Sequence, residues 1–213
     1  AAPAAAAAEA EGAPQPLKGD DITSLEQLYE RMEQGAASGE TQFALIAGVG
    51  DGFAQSAAVQ LGRRLAGQAS AVLLDVGTIW PGVGEILRAA DEASFAGVSD
   101  VLAGEASLAA AFHRDPTSNL DVIPLGEIGG PLADGLDELL IALAETHEFV
   151  VIHASSWREE AASVVAALIH EMVVVAPANR LAAEIAEARA GCGSSVEVLA
   201  LGADARARVD RAA

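Results

Sequence analysis

Residues 43–56 read Phe43-Ala-Leu-Ile-Ala-Gly-Val-Gly-Asp-Gly-Phe-Ala-Gln-Ser56. The stretch begins with an apolar run, continues through a glycine-rich loop and ends in residues typical of a helix start. A strand, a glycine-rich loop and a helix in this order form the context in which backbone N–H groups and a helix N-terminus cradle a phosphate. The stretch therefore predicts the first strand, loop and helix of an α/β domain.

Short apolar runs and helical patterns alternate along the rest of the chain. The runs are apolar throughout, which is typical of strands covered on both faces. This alternation predicts a doubly wound, mainly parallel α/β sheet with helices on both faces, and ligands at the carboxyl ends of its strands. The predicted strands are 43–47, 71–74, 120–124, 149–152, 172–175 and 196–201, and the predicted helices are 54–67, 84–91, 107–113, 133–147, 158–169 and 179–190.

The N-terminal part of the chain has a different composition. Residues 1–19 consist mainly of Ala, Pro, Glu and Gly, and we expect a disordered tail there, followed by a single domain over residues 20–213. A helix is predicted to begin at Ser24, because Ser24 and Gln27 have the spacing of a capping box. The apolar stripe of this helix consists of Leu25, Leu28, Tyr29 and Met32.

Composition and charge exclude several classes of partner. The chain has 31 acidic and 12 basic residues, a net charge of −19, so nucleic acid and anionic lipid are poor partners and a basic patch on a protein suits it better. Its single cysteine, Cys192, fits a reducing compartment. No stretch reaches 18 consecutive apolar residues and no signal-peptide pattern is visible. We expect a cytoplasmic protein that reaches the inner membrane only through a partner.

The glycine-rich loop lacks the residues that a working phosphate loop needs. Such a loop places Lys on the phosphates and Ser or Thr on Mg²⁺, but Lys18 is the only lysine of the chain. Asp51 also adds a negative charge where a phosphate would lie. A tight turn without ligand and a loop that still holds an anion are the alternatives, and the first is favoured. This degenerate phosphate loop consists of Gly48, Gly50, Asp51, Gly52, Phe53, Ala54, Gln55 and Ser56.

Two further strand ends carry polar side chains. Asp75 could hold a metal-bound water, but a lone carboxylate is a weak Mg²⁺ site, and capping of the next segment is the alternative. His153 could pair with Ser155 or Ser156 as a nucleophile, but the sequence shows no third, orienting group. A hydrogen-bonded histidine at a strand end is therefore favoured. The other histidines and Cys192 show no metal-ligand spacing, so we expect no metal and no cofactor.

Two other segments carry a resemblance to a known family. Gly97-Val-Ser-Asp-Val-Leu-Ala-Gly104 and Asn119-Leu-Asp-Val-Ile-Pro-Leu-Gly126 are nearly the family segments Gly-Leu-Ser-Asp-Val-Leu-Gly-Gly and Asn-Leu-Asp-Val-Leu-Pro-Ala-Gly. The chain resembles the cytoplasmic domain of bacterial tyrosine kinases that accompany polysaccharide co-polymerases, which belong to the MinD/ParA-like P-loop class. The resemblance covers residues 24–202.

Measured against this family, the residues that carry its chemistry are replaced. Asp75 keeps the first Asp of the family's second motif, whereas Gly77 stands at its second Asp. His153 stands at the Asp of the third motif, and Ser155 and Ser156 stand at two prolines. Losing electrostatic groups of this kind costs factors of roughly 10²–10³ each in rate.

The segments that relatives use for assembly and autophosphorylation also differ. The C-terminal tyrosine cluster is missing, since Tyr29 is the only tyrosine. Glu30 and Glu33 stand where the helix that relatives use for ring assembly carries arginines, which puts that contact in doubt.

The resemblance therefore predicts a function without catalysis. We expect a pseudo-kinase, not an enzyme, that regulates or scaffolds exopolysaccharide, capsule or adhesin synthesis by binding an inner-membrane co-polymerase (chain-length) protein. A divergent ATPase or tyrosine kinase of the same pathway is one alternative. A MinD-like positioning or pilus-assembly protein is the other.

Overall fold

An eight-stranded sheet forms the centre of the fold. The computed structural model describes residues 22–49, 53–77, 96–127, 132–169, 171–177, 179–192 and 197–201. The strands are β1 (Ile22–Thr23), β2 (Gln42–Gly48), β3 (Ala71–Asp75), β4 (His113–Arg114), β5 (Asp121–Ile123), β6 (Phe149–Ala154), β7 (Glu171–Val175) and β8 (Glu197–Leu201). The helices are α1 (Leu25–Ala36), α2 (Phe53–Leu65), α3 (Val98–Leu102), α4 (Leu108–Ala111), α5 (Leu136–Ala144), α6 (Glu160–Leu168) and α7 (Leu181–Cys192).

The strand order of the sheet is β1-β8-β7-β2-β6-β3-β5-β4. All neighbouring strands are parallel except β4 and β5, which pair antiparallel. β2 lies between β6 and β7, so the chain crosses over the sheet between these neighbours. This confirms the predicted α/β fold with a doubly wound, mainly parallel sheet.

Helices cover both faces of the sheet, and each face has its own apolar core. Leu73 and Val151 belong to the core under α1 and α2, whereas Leu74 and Ile152 belong to the core under α5, α6 and α7. Successive side chains of a strand point to opposite faces. Asp75 and His153 therefore continue the face that α1 and α2 cover.

The start of α1 agrees with the capping-box prediction. The Gln27 amide donates to the Ser24 hydroxyl at 3.1 Å, and the Ser24 amide donates to the Gln27 side chain at 2.9 Å. Leu28, Tyr29 and Met32 are buried against the sheet, as the apolar stripe predicted. A local signal of this kind can be read directly from the sequence.

Other elements differ from the sequence prediction. The helix predicted over 107–113 is the short α4, because Phe112 is extended and His113 pairs with Val122 in the antiparallel edge. β1, β4 and α3 were not predicted, since runs of two to five residues show no period. α5 begins at Leu136 rather than at residue 133, after Gly135 in a left-handed conformation. The predicted tail 1–19 and the helix 84–91 lie outside the described residues.

Candidate functional site

The polar strand ends that the sequence singled out meet at one edge of the sheet. β6 lies between β2 and β3, and all three are parallel, so their carboxyl ends lie side by side. Asp75 is the direct register partner of His153, and Ala47 is the partner of Ala154. The structure therefore confirms that these three loops share one edge, where ligands bind in open α/β sheets.

The glycine-rich loop is described only at its two ends. Val49 donates its amide to Val175 and bridges to Ser156, and α2 begins at Phe53. A Cβ on Gly48 would lie 3.0 Å from the Ala54 Cβ, so β2 and the start of α2 are in close contact.

The side chains at the start of α2 follow the helix period. Ala54 is buried, and Gln55 and Ser56 are half-buried. Phe53 packs against the core under α1 and α2. Gly50, Asp51 and Gly52 lie outside the described residues, so the prediction of a tight turn without ligand stays a prediction.

Asp75 and His153 are hydrogen-bonded to each other at the centre of this edge. His153 Nδ1 lies 2.8 Å from Asp75 Oδ1, and the two side chains are 6% and 1% exposed. With the Asp75 carboxylate as the acceptor, this hydrogen bond requires the tautomer of His153 that has its proton on Nδ1. The Gly77 amide donates to the same oxygen at 3.0 Å. Asp75 thus caps the segment that follows it, and His153 is a hydrogen-bonded strand-end histidine, the two favoured alternatives.

Gly77, His153 and Ser155 form one packed contact. A Cβ at Gly77 would lie 2.4 Å from the Ser155 hydroxyl, 3.0 Å from the Ser155 amide and 3.0 Å from a ring carbon of His153. A side chain at position 77 would therefore crowd both His153 and Ser155.

The alternative of a serine nucleophile gains an orienting group in the structure. Asp75 is the third group that was not visible in the sequence. A working arrangement also needs a serine hydroxyl hydrogen-bonded to Nε2 of the histidine. Within the described ranges, the hydrogen bond of His153 runs from Nδ1 to Asp75, and the Ser156 hydroxyl accepts from the Arg158 amide. The geometry is that of a structural pair.

A second polar cluster at this edge was missed by the sequence reasoning. The buried Glu184 carboxylate accepts hydrogen bonds from Trp157 at 3.2 Å, from Arg158 at 2.7 Å and from Arg180 at 2.6 Å. The Arg158 guanidinium also lies 4.1 Å above the Trp157 ring. Arg180 and Glu184 have the i, i+4 spacing of a helical ion pair, the one local signal of this cluster. The whole cluster connects the loops after β6 and β7 to α7.

Two buried carboxyls have lowered pKa values. Burial alone would raise the pKa of Glu184, but hydrogen bonds from Arg158, Trp157 and Arg180 outweigh it, so the net pKa lies below its ordinary value. Burial likewise opposes the lowering of the Asp115 pKa, and hydrogen bonds from Arg63, Ser118 and Thr117 outweigh it. Both groups are therefore ionised and paired at neutral pH.

These lowered pKa values predict acid sensitivity. A carboxyl whose folded pKa is depressed contributes stability above its unfolded pKa and loses it as the pH falls through the folded pKa. The free energy of unfolding is expected to fall below about pH 4.5, the ordinary value of Glu184. Urea unfolding between pH 6 and pH 3 measures it.

The variant Glu184→Gln isolates the share of Glu184 in this effect, because it removes one titrating group. Its stability is expected to fall less steeply with acid than that of the wild type. Glu187→Gln is the matched control, since Glu187 also pairs with Arg158 but has a side chain that is 60% exposed. Equal slopes for wild type and Glu184→Gln would contradict the assignment.

The two segments that carry the family resemblance are docked on each other. The Val98 amide donates to Pro124 and the Ser99 amide donates to Leu125, both at 2.8 Å. Asp100 accepts from the Gly97 amide at 2.8 Å and from the Glu127 amide at 3.2 Å. The segment around α3 is thereby held against the carboxyl end of β5, beside β3.

Comparison with known proteins supports the fold but not a family by sequence. No family model matches the chain, and no curated protein matches it. The VpsO kinase domain has a TM-score of 0.67 at 17% identity, covering 84% of this chain and 92% of that one. The kinase domain of the Escherichia coli tyrosine kinase ETK has a TM-score of 0.67 at 16% identity, with coverages of 84% and 75%.

The similar structures also include ATPases of the same class. The septum site-determining protein MinD from Pyrococcus horikoshii, complexed with Mg-ADP, has a TM-score of 0.61 at 15% identity, with coverages of 78% and 76%. The chain therefore has the α/β fold that bacterial tyrosine kinase domains share with MinD and ParA proteins.

These comparisons correct the prediction that the chain is not an enzyme. The solved structures that share its fold are tyrosine kinase domains and a ParA family ATPase. The fold is thus one of enzymes, and counting replaced motif residues was the wrong basis for excluding activity. Gly77, His153 and Ser155 also lie in one packed contact, so they are not independent positions.

Two features are absent from the described part of the chain. None of its helices has the length and apolar character required to cross a membrane. Its His, Cys, Asp and Glu side chains include no group of three or more that could hold a metal ion.

Proposed function

We propose that this chain is a bacterial-tyrosine-kinase-like domain of a polysaccharide-assembly system. It acts by binding the cytoplasmic end of an inner-membrane co-polymerase protein, and through that contact it regulates or scaffolds polymer synthesis and export. The observation that carries this proposal is the docking of the Gly97–Gly104 segment on the Asn119–Gly126 segment. These segments, rather than a glycine-rich loop, distinguish the polysaccharide branch.

The charge of the chain supports a basic partner. With a net charge of −19, its surface attracts basic segments and repels acidic ones. α1 offers a suitable contact face, because it borders an open groove of about 350 Å³ together with β1 and β8. The exposed Glu30 lines this groove, as does Arg31, whose charge is paired with Glu197 at 3.1 Å. The exposed apolar side chain of Ile22 also lines it. We place the partner's basic segment there.

Affinity capture with the full-length co-polymerase protein of the same organism tests this proposal. We expect the two proteins to bind, with an affinity that weakens about tenfold between low and physiological salt, because exposed charges are screened. Glu30→Arg is expected to weaken binding further. Glu105→Arg is the matched control, since it makes the same charge change at another exposed position. Glu105 lies in the segment after α3, near β5, at the opposite end of the sheet from α1.

Two results would count against the proposal. Failure to capture the co-polymerase protein, together with unchanged polymer output after deletion of this chain, excludes the function. Equal losses of binding for Glu30→Arg and Glu105→Arg exclude the α1 groove as the contact face.

A further inference from the structure

The class of fold implies a magnesium ion at this edge of the sheet. The MinD structure with the same fold is complexed with Mg-ADP, and by resemblance Asp75 stands where relatives hold a metal-bound water. Mg²⁺ requires near-octahedral oxygen ligands at about 2.0–2.1 Å and keeps several waters. The residues present at Asp75 can be tested against this requirement.

The Asp75 carboxylate does not fit a magnesium site. Its side chain is 1% exposed, and Oδ1 accepts from both His153 and the Gly77 amide. A cation that binds Oδ1 would compete with both the His153 ring and the Gly77 amide. The register partner of Asp75 offers an imidazole nitrogen, whereas Mg²⁺ prefers oxygen ligands.

Position 77 cannot supply the missing oxygen either. A Cβ there would meet the Ser155 hydroxyl at 2.4 Å and the Ser155 amide at 3.0 Å. The amide belongs to the backbone and cannot rotate away. A carboxylate at position 77 therefore requires the Ser155 hydroxyl to rotate and the contact between β3 and β6 to widen by a few tenths of an ångström.

We propose that the His153 imidazole takes the place of the divalent cation beside Asp75, and that His153 decides whether this edge accepts a metal ion. The side chain of His153 links β3 to β6 through its hydrogen bond to Asp75. In a metal site, Asp75 would instead bind the ion's water. If the glycine-rich loop after β2 binds a phosphate, it then does so without a divalent cation at Asp75. This inference does not depend on the partner proposed above.

Mn²⁺ binding to the purified full chain, followed by electron paramagnetic resonance, tests the proposal. Mn²⁺ takes the same carboxylate and water ligands as Mg²⁺. His153→Asp places a second carboxylate beside Asp75, and a cation relieves the repulsion between them. We expect this variant to bind Mn²⁺ at least about tenfold more tightly than the wild type. His153→Asn is the matched control for charge, because it has the shape of Asp without the charge, and it should bind Mn²⁺ more weakly than His153→Asp.

Two comparisons decide the outcome. A wild type that binds Mn²⁺ as tightly as His153→Asp overturns the proposal, whereas a wild type that binds it more weakly supports the proposal. If His153→Asp fails to fold, the wild type and Asp75→Asn decide it instead. Equally weak Mn²⁺ binding by both supports the proposal, whereas binding by the wild type that Asp75→Asn abolishes overturns it.

Discussion

Replacing His153 with phenylalanine is expected to lower the free energy of unfolding by about 3 kcal/mol. Phenylalanine keeps a planar ring, larger than the imidazole, and cannot donate to the Asp75 carboxylate, which is 1% exposed. A buried charge that loses its donor costs more than an ordinary hydrogen bond. Urea unfolding followed by circular dichroism measures the change. At this chain length the loss corresponds to a melting temperature lower by roughly 6–12 °C.

The result that would contradict this prediction is a His153→Phe variant within about 0.5 kcal/mol of the wild type, the range of ordinary surface substitutions. In that case the Asp75–His153 contact would not stabilise this edge of the sheet. The account of His153 as the group that holds β3 to β6 would then fail with it.

The variant Gly97→Ala is expected to lose a similar amount, about 3 kcal/mol, because overpacking of this kind strains the backbone. The added Cβ would lie 2.2 Å from the Pro124 carbonyl oxygen and 2.4 Å from the Gly126 amide nitrogen. Both are backbone atoms, so no side-chain rotation relieves the clash. The two docked segments must then move apart. Thermal unfolding measures the loss.

Gly104→Ala is the matched control for Gly97→Ala. Gly104 lies in the same segment and has no atom within 4 Å of an added Cβ, but its φ is +76°. Its expected cost is therefore the backbone strain alone, about 1 kcal/mol. If both variants lose equal stability, the docking of the two segments has no steric requirement at Gly97.

The sheet and its order of elements could be predicted because their signals are local. Apolar runs define strands covered on both faces, and the Ser24–Gln27 spacing defines a helix start. β1 could not be predicted, since it has two residues and pairs with Ala200 and Leu201 far along the chain. The antiparallel β4 edge has the same difficulty, because His113 depends on its partner Val122.

The sequence predicted where the candidate site lies, but not which of its side chains contact each other. Parallel strand ends meet at one edge, so Asp75 and His153 were correctly expected there. Their hydrogen bond joins residues 78 positions apart and depends on the register of β3 against β6, which no local pattern shows. The same holds for Trp157 and Glu184. Because these contacts were invisible, replaced residues were counted singly, and the prediction of no enzyme was wrong.

The central claim is that Asp75 and His153 bind each other and close this edge of the sheet. A double-mutant cycle with Asp75→Asn, His153→Phe and the double variant measures that interaction most directly. The account predicts a coupling free energy of about 2 kcal/mol, with the double variant more stable than the sum of the two single losses implies. A coupling free energy near zero would contradict it.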